Sequence, residues 1–289
     1  MSKLVINLVV AIVLVLVALY GASCAFLVWR QTRLIFFPRS EIEKTPETYH
    51  LPYETVWLPV PTTTGQPERM HGWWIPATQP NGKVLLYLHG NAVNVGANVE
   101  HAGRFHSLGF SVLLMDYRGY GQSEGQFPSE QQVYVDAETA WNYLTQEQGI
   151  SPEQIVIYGH SLGGAIAIEL ATRHPDAAGL IVESSFTSIR AMTTQMPLFK
   201  LLPIELLLHQ RFDSIAKVPS LTMPVLFIHG TADQAIPYTM SQQLFAAAPE
   251  PKHLWLVTDG EHNNNAKTAG AEYFQTIREF LHQIQSSNP

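Results

Sequence analysis

The chain is 289 residues long, 46% hydrophobic, with a formal net charge of −7 and a single cysteine, Cys24. That size and apolar content suit one large α/β domain or two small ones. An acidic balance with no long basic run argues against a nucleic-acid partner, and one cysteine excludes an internal disulfide framework or a Cys-based zinc site.

From Leu4 to Trp29 the sequence is almost continuously apolar, with Asn7 and Ser23 as the main interruptions. At ~1.5 Å per residue such a helix is roughly 39 Å long, enough to cross a bilayer with some tilt. Three readings compete. A cleaved signal peptide has a shorter apolar region and a small-x-small cleavage site. A lipoprotein signal places its cysteine after a lipobox, but Gly21-Ala22-Ser23 is a poor one and the apolar run continues past Cys24. A single-pass membrane anchor over residues 1–30 is favoured, with Trp29, Arg30 and Arg33 as an interfacial collar. Lys3 lies on one side, and Arg30, Arg33, Arg39 and Lys44 lie on the other. By a small margin this count favours a cytosolic placement of the rest of the chain.

Residues 31–52 read as a linker punctuated by Pro38, Pro46 and Pro52. Val56 to Val60 and Met70 to Ile75 read as strands joined by a hairpin loop from Pro61 to Gly65. A third strand, Lys83 to Leu88, ends at His89-Gly90-Asn91-Ala92. A helix is expected over Val93 to Leu108, stopped by Gly109. A strand follows at Ser111 to Met115, then the glycine-rich loop Asp116-Tyr117-Arg118-Gly119-Tyr120-Gly121. Val133, Ala137, Ala140, Trp141 and Leu144 recur at helical spacing within Ser129 to Gln148.

The β-branched run from Ile155 leads into Gly159-His160-Ser161-Leu162-Gly163, a Gly-x-Ser-x-Gly sequence between a strand and a helix. This fits a nucleophile elbow, in which the serine sits on a sharp, strained turn and the flanking glycines remove collisions. The next helix would then lie with its free N–H groups beneath the serine. A strand follows at Gly179 to Val182. Residues 184–220 then break the rhythm with many apolar side chains, Met192, Met196 and Phe199 among them, and with Pro197 and Pro203. They read as short helices capping the sheet. Alternation resumes with strand Val225 to Ile228, helix Thr239 to Ala247, strand His253 to Val257 and helix Ala266 to Ile284. The pattern predicts an α/β fold with a mostly parallel sheet of about eight strands, helices on both faces, and antiparallel pairing at one edge. This globular domain would cover residues 53–289.

Ligands of such sheets bind at the carboxyl ends of strands. There the candidates are Ser161 as nucleophile, His262 as base and Asp233 as the acid that orients the base. Glu183 is the alternative acid. Asp259 reads as a turn residue, being too close along the chain to His262. His160 is expected to point away from the site, and His89 to brace the adjoining loop. The backbone N–H groups of Asn91 and Leu162 are the expected oxyanion donors. Met192, Met196 and Phe199 are candidates for an acyl pocket. The twelve histidines are scattered without a His-Glu-x-x-His pattern, so no metal is expected.

The motifs at 89–92, 116–121, 159–164, 230–233 and 260–263 together resemble the α/β-hydrolase superfamily over residues 50–286. Within it, they and the anchor followed by Leu34-Ile35-Phe36-Phe37-Pro38 are similar to the membrane-anchored ABHD-type serine hydrolases, a branch that includes protein depalmitoylases. That resemblance implies the triad Ser161, Asp233 and His262. The expected chemistry is hydrolysis of an ester or thioester of an acyl, lipid-like substrate through an acyl-enzyme, without a cofactor. A peptidase, amidase or perhydrolase on the same triad stays open, as does a non-catalytic tethered scaffold.

Overall fold

Near-continuous apolar runs form the central strands of the molecule, and the alternation of side chains along each strand serves two separate cores. The computed structural model describes residues 2–62 and 65–287. In chain order the elements are α1 (Lys3–Ile35), β1 (Phe37–Pro38), β2 (Glu54–Val60), β3 (Glu68–Ile75), β4 (Val84–Leu88), β5 (Ala92–Val93), α2 (Val99–Ser107), β6 (Ser111–Met115) and α3 (Glu130–Asn142). They continue as β7 (Ile155–His160), α4 (Leu162–Arg173), β8 (Gly179–Glu183), α5 (Ile189–Thr194), α6 (Ile204–Leu207) and α7 (Ser214–Lys217). The last are β9 (Val225–Gly230), α8 (Thr239–Ala247), β10 (Lys252–Val257), α9 (Asn265–Ala269) and α10 (Ala271–Ser287).

Eight strands form one sheet in the order β10-β9-β8-β7-β4-β6-β3-β2. The six strands from β10 to β6 pair in parallel, while β2 and β3 add an antiparallel edge. The expected mostly parallel, eight-stranded α/β sheet is what forms. In β4 and β7, Leu86, Leu88, Ile155 and Ile157 face the core under α3, α4 and α8. Leu85, Tyr87, Val156 and Tyr158 face the core under α2 and α10. The register sets Leu88 beside Gly159, His160 beside Glu183, and Gly230 beside Val257. The strands therefore end together at one rim, where their following loops converge.

Three local expectations change. The helix expected from Val93 begins at Val99, because tertiary partners hold the preceding residues differently. Ala92 and Val93 pair with Phe37 and Pro38. The Asn94 side chain donates to the Arg39 and Glu41 carbonyls at 3.1 and 2.6 Å, and Asp116 accepts from the Val95 N–H at 2.8 Å. The C-terminal helix is split at Gly270, whose φ is +56°, a conformation that interrupts a right-handed helix. After α3 the chain continues in a single π-turn over Tyr143–Glu147. The expected hairpin loop includes positions 63 and 64, which lie outside the described residues.

Helix α1 is long and apolar enough to cross a membrane, and it runs on to Ile35. Its last turns dock on the segment after β8. Gln31 is 4% exposed. Its amide donates to the Leu207 carbonyl at 3.1 Å, and its oxygen accepts from the His209 and Gln210 N–H groups, both at 2.9 Å. One uncharged side chain thus satisfies three backbone groups between α1 and the cap.

Candidate active site

Ser161 occupies the turn between β7 and α4 with φ +56° and ψ −120°. Few residues adopt this backbone, and the packing around it explains how it is held. A Cβ on Gly159 would stand 2.2 Å from the Gly163 carbonyl oxygen, and one on Gly163 would stand 2.0 Å from the Leu88 carbonyl oxygen. The turn therefore closes only because both positions lack side chains.

His262, in the loop after β10, bridges the site. Its Nδ1 lies 2.7 Å from Asp233 Oδ2 and its Nε2 lies 3.0 Å from Ser161 Oγ. A carboxylate only accepts, so Nδ1 carries the proton and Nε2 is free to take the serine's. Asp233 follows β9 and is itself held from four directions. The Ala235 and Ile236 N–H groups donate to Oδ1 at 2.8 and 2.9 Å. Oδ2 also accepts from His229 Nε2 at 3.1 Å. Burial pushes the Asp233 carboxyl up, but the hydrogen bonds from His229, His262 and Ile236 outweigh it and hold the group well below the usual carboxylate range. The carboxylate thus stays charged across the range in which a histidine titrates.

The sequence-predicted residues Ser161, Asp233 and His262 come together. Glu183, the alternative acid, lies elsewhere: it accepts from Tyr158, Tyr273 and Asn265 at 2.9, 2.8 and 3.0 Å in a buried cluster. His160 departs from expectation. Its ring packs 5.1 Å from that of His262, and its Nε2 donates to the His262 carbonyl at 2.9 Å, bracing the base's backbone. His229 was not singled out in the sequence. It forms a second brace, with Nδ1 at 2.7 Å from Ser241 Oγ; a polar side chain closing a buried strand was the available signal.

Asn91 and Leu162 line the same cavity as Ser161. The Asn91 loop is fastened from outside. Its side chain donates to the Ile35 carbonyl at 2.8 Å, and Tyr120 donates to the Asn91 carbonyl at 2.8 Å. His89 Nδ1 donates to the Gly90 carbonyl at 2.7 Å, while Tyr117 donates to the His89 carbonyl at 3.0 Å. The Arg118 side chain fixes this tyrosine-bearing loop, with its Nε 2.6 Å from Asp136 and Nη1 2.9 Å from Glu68. Among the described residues no group of three or more His, Cys, Asp or Glu side chains could hold a metal ion.

The cavity above Ser161 measures about 820 Å³, toward the upper end of the range for small-molecule sites. Met192, Met196 and Phe199, the candidates singled out in the sequence, line it together with Phe186, Ile189 and Ile236. Leu27, Gln31, Leu34 and Ile35 of α1 line it too. The sequence did not reveal this, although a glutamine in an apolar stripe at i, i+4 and i+7 spacing was a visible signal.

With this geometry established, relatives can be placed. The family described as serine aminopeptidase, S33, matches residues 79–214. An uncharacterised protein of Mycobacterium tuberculosis, Rv2307c, is 36% identical over 93% of this chain and 94% of its own. Human alpha/beta hydrolase domain-containing protein 17B is 35% identical over 71% of this chain and 68% of its own. Among solved structures, the Pyrococcus furiosus esterase Pf2001 superposes with a TM-score of 0.70, covering 86% of this chain and 97% of that one at 19% identity. The chain belongs to the α/β-hydrolase superfamily, and by family it is a hydrolase. Within the superfamily it is ABHD-like.

Two outcomes follow from the packing. Gly163→Ala is expected to destabilise the fold by about 1–3 kcal/mol through overpacking against Leu88, read as a lower urea midpoint. Burial lowers the His160 imidazole to about 4, against the pull of the Glu183 carboxylate. The unfolded chain takes up this proton near 6.5, so the contribution is complete above about pH 6.5 and is lost as pH falls toward 4. Stability should drop by up to roughly 3 kcal/mol across that window. The slope should flatten in His160→Gln, measured by urea unfolding at graded pH.

Proposed function

We propose that this chain is a membrane-tethered serine hydrolase cleaving carboxylic ester or thioester bonds of acyl, lipid-like substrates. The observation that carries the reading is one line of hydrogen bonds, Ser161 Oγ to His262 to Asp233, on the floor of an apolar cavity. His262 Nε2 takes the serine proton as Oγ attacks the carbonyl carbon. Asp233 keeps the imidazole in the productive tautomer and offsets its positive charge. The Asn91 and Leu162 N–H groups receive the oxyanion. His262 returns the proton to the leaving alcohol or thiol, and an acyl-Ser161 remains. Water, deprotonated by His262, then releases the acid.

The cavity's chemistry supports an acyl group over a peptide amino terminus. No Asp, Glu, Lys or Arg is among its described lining residues. An aminopeptidase needs a carboxylate to receive the substrate's ammonium group. Tethering through α1 rests on that helix's length and apolarity, with the Trp29–Arg30 collar at its domain end.

A fluorophosphonate probe should label the wild type and fail to label Ser161→Ala, read by gel fluorescence. His262→Ala should keep the fold by circular dichroism and lower kcat on acyl esters by about 10²–10⁴-fold. Asp233→Asn should cost on the order of 10³–10⁴-fold, and more than Glu183→Gln. The opposite ranking would move the acid's role to Glu183. Parallel assay of acyl esters, thioesters and peptide amides gives the bond class; turnover of amides alone would overturn the ester reading.

A further inference from the structure

We infer that α1 is a wall of the acyl site as well as a tether, and that a long acyl chain passes between α1 and the cap straight from the bilayer to Ser161, an inference that rests on the tethered-hydrolase reading above. On α1, Leu27, Gln31 and Leu34 stand at i, i+4 and i+7, one face of the helix, and all three line the cavity that holds Ser161 and His262. Trp29 and Arg30, which mark the expected membrane interface, lie between Leu27 and Leu34 in the sequence. The cavity therefore extends along α1 from the domain side of that collar to its apolar side. A hydrocarbon chain lying in it leaves the lipid phase without crossing water, avoiding a cost of about 0.8 kcal/mol for each exposed methylene.

The cap supports the same route. Helix α6 meets α1 through Gln31 and Leu207. Its neighbouring Leu206 is 85% exposed, and Leu201, just before it, is 74% exposed. Apolar side chains so exposed beside an apolar helix fit a surface that rests in lipid. The substrate class is thus a bilayer-resident long-chain acyl ester or thioester.

The test uses the full chain in phosphatidylcholine vesicles, with 4-nitrophenyl hexadecanoate and 4-nitrophenyl butanoate as probes. Leu27→Trp and Leu34→Trp should lower the hexadecanoate-to-butanoate ratio of kcat/KM by about tenfold, the effect of about two buried methylenes. Phe26→Trp, at an exposed position on a different face of α1 from Leu27, Gln31, Leu34 and Ile35, should keep the wild-type ratio. An unchanged ratio in both cavity variants, with Ser161-dependent butanoate turnover intact, would overturn the inference and leave the hydrolase reading standing. Absence of Ser161-dependent turnover of either ester in the wild type would instead sink that reading and the inference with it. Fluorophosphonate labelling checks the elbow in each variant. If both tryptophan variants lose it, Leu27→Ala decides by the same ratio. A hexadecanoyl glycerol ester and a hexadecanoyl thioester of a vesicle-bound peptide separate the two sources of such a chain. Leu27-dependent turnover of either supports the route, and turnover of neither overturns it.

Discussion

Everything at the sheet rim depends on one close approach of backbones. The first turn of α4 sits directly against the ends of β4 and β7, with Gly163 facing the Leu88 carbonyl and Gly159 facing Gly163. No side chain fits at either glycine. That contact holds Ser161 in a backbone conformation it would not otherwise keep, and it sets the hydroxyl within 3.0 Å of the His262 ring. A looser junction would let the turn relax, and the serine would withdraw from the histidine.

Around this fixed point the neighbouring groups hold one another. Asp233 accepts four hydrogen bonds, and only one of them comes from His262. Three of the four therefore hold the acid independently of His262. His262 in turn is positioned at both ends, by Asp233 on its ring and by His160 on its carbonyl. Glu183 serves at one remove. Its carboxylate accepts from Asn265, which opens α9 three residues beyond His262. A preorganised arrangement of this kind limits the reorganisation needed as charge develops during reaction. Catalysis by it remains our proposal.

The sheet was legible in the sequence because its signals are local. Apolar runs bounded by glycine or proline marked most strands to within a residue or two. Ser161, Asp233 and His262 could be chosen because each follows a strand on the side where loops meet. What escaped was set by distant parts of the chain. Ala92 and Val93 have no local reason to be extended; they are extended because Phe37 and Pro38 lie beside them. Gly270 looks like an ordinary helical position until its positive φ breaks the helix in two. The roles of His160 and His229 depend on which group each ring nitrogen reaches, and that is a matter of three-dimensional packing. The cap helices were visible as an interruption of the rhythm, but their partner on α1 was not, because Gln31 reads as the start of a linker.

Gln31 has a mechanical implication. A domain joined to a membrane helix by a pliant segment turns freely and averages over every orientation. Here the glutamine fastens the helix to the cap through three hydrogen bonds, and Asn91 grips the helix end at Ile35. Helix and hydrolytic domain are thus coupled as a single lever. In a chain held by α1, any tilt the helix takes to match bilayer thickness would be passed on to the loop beside Ser161.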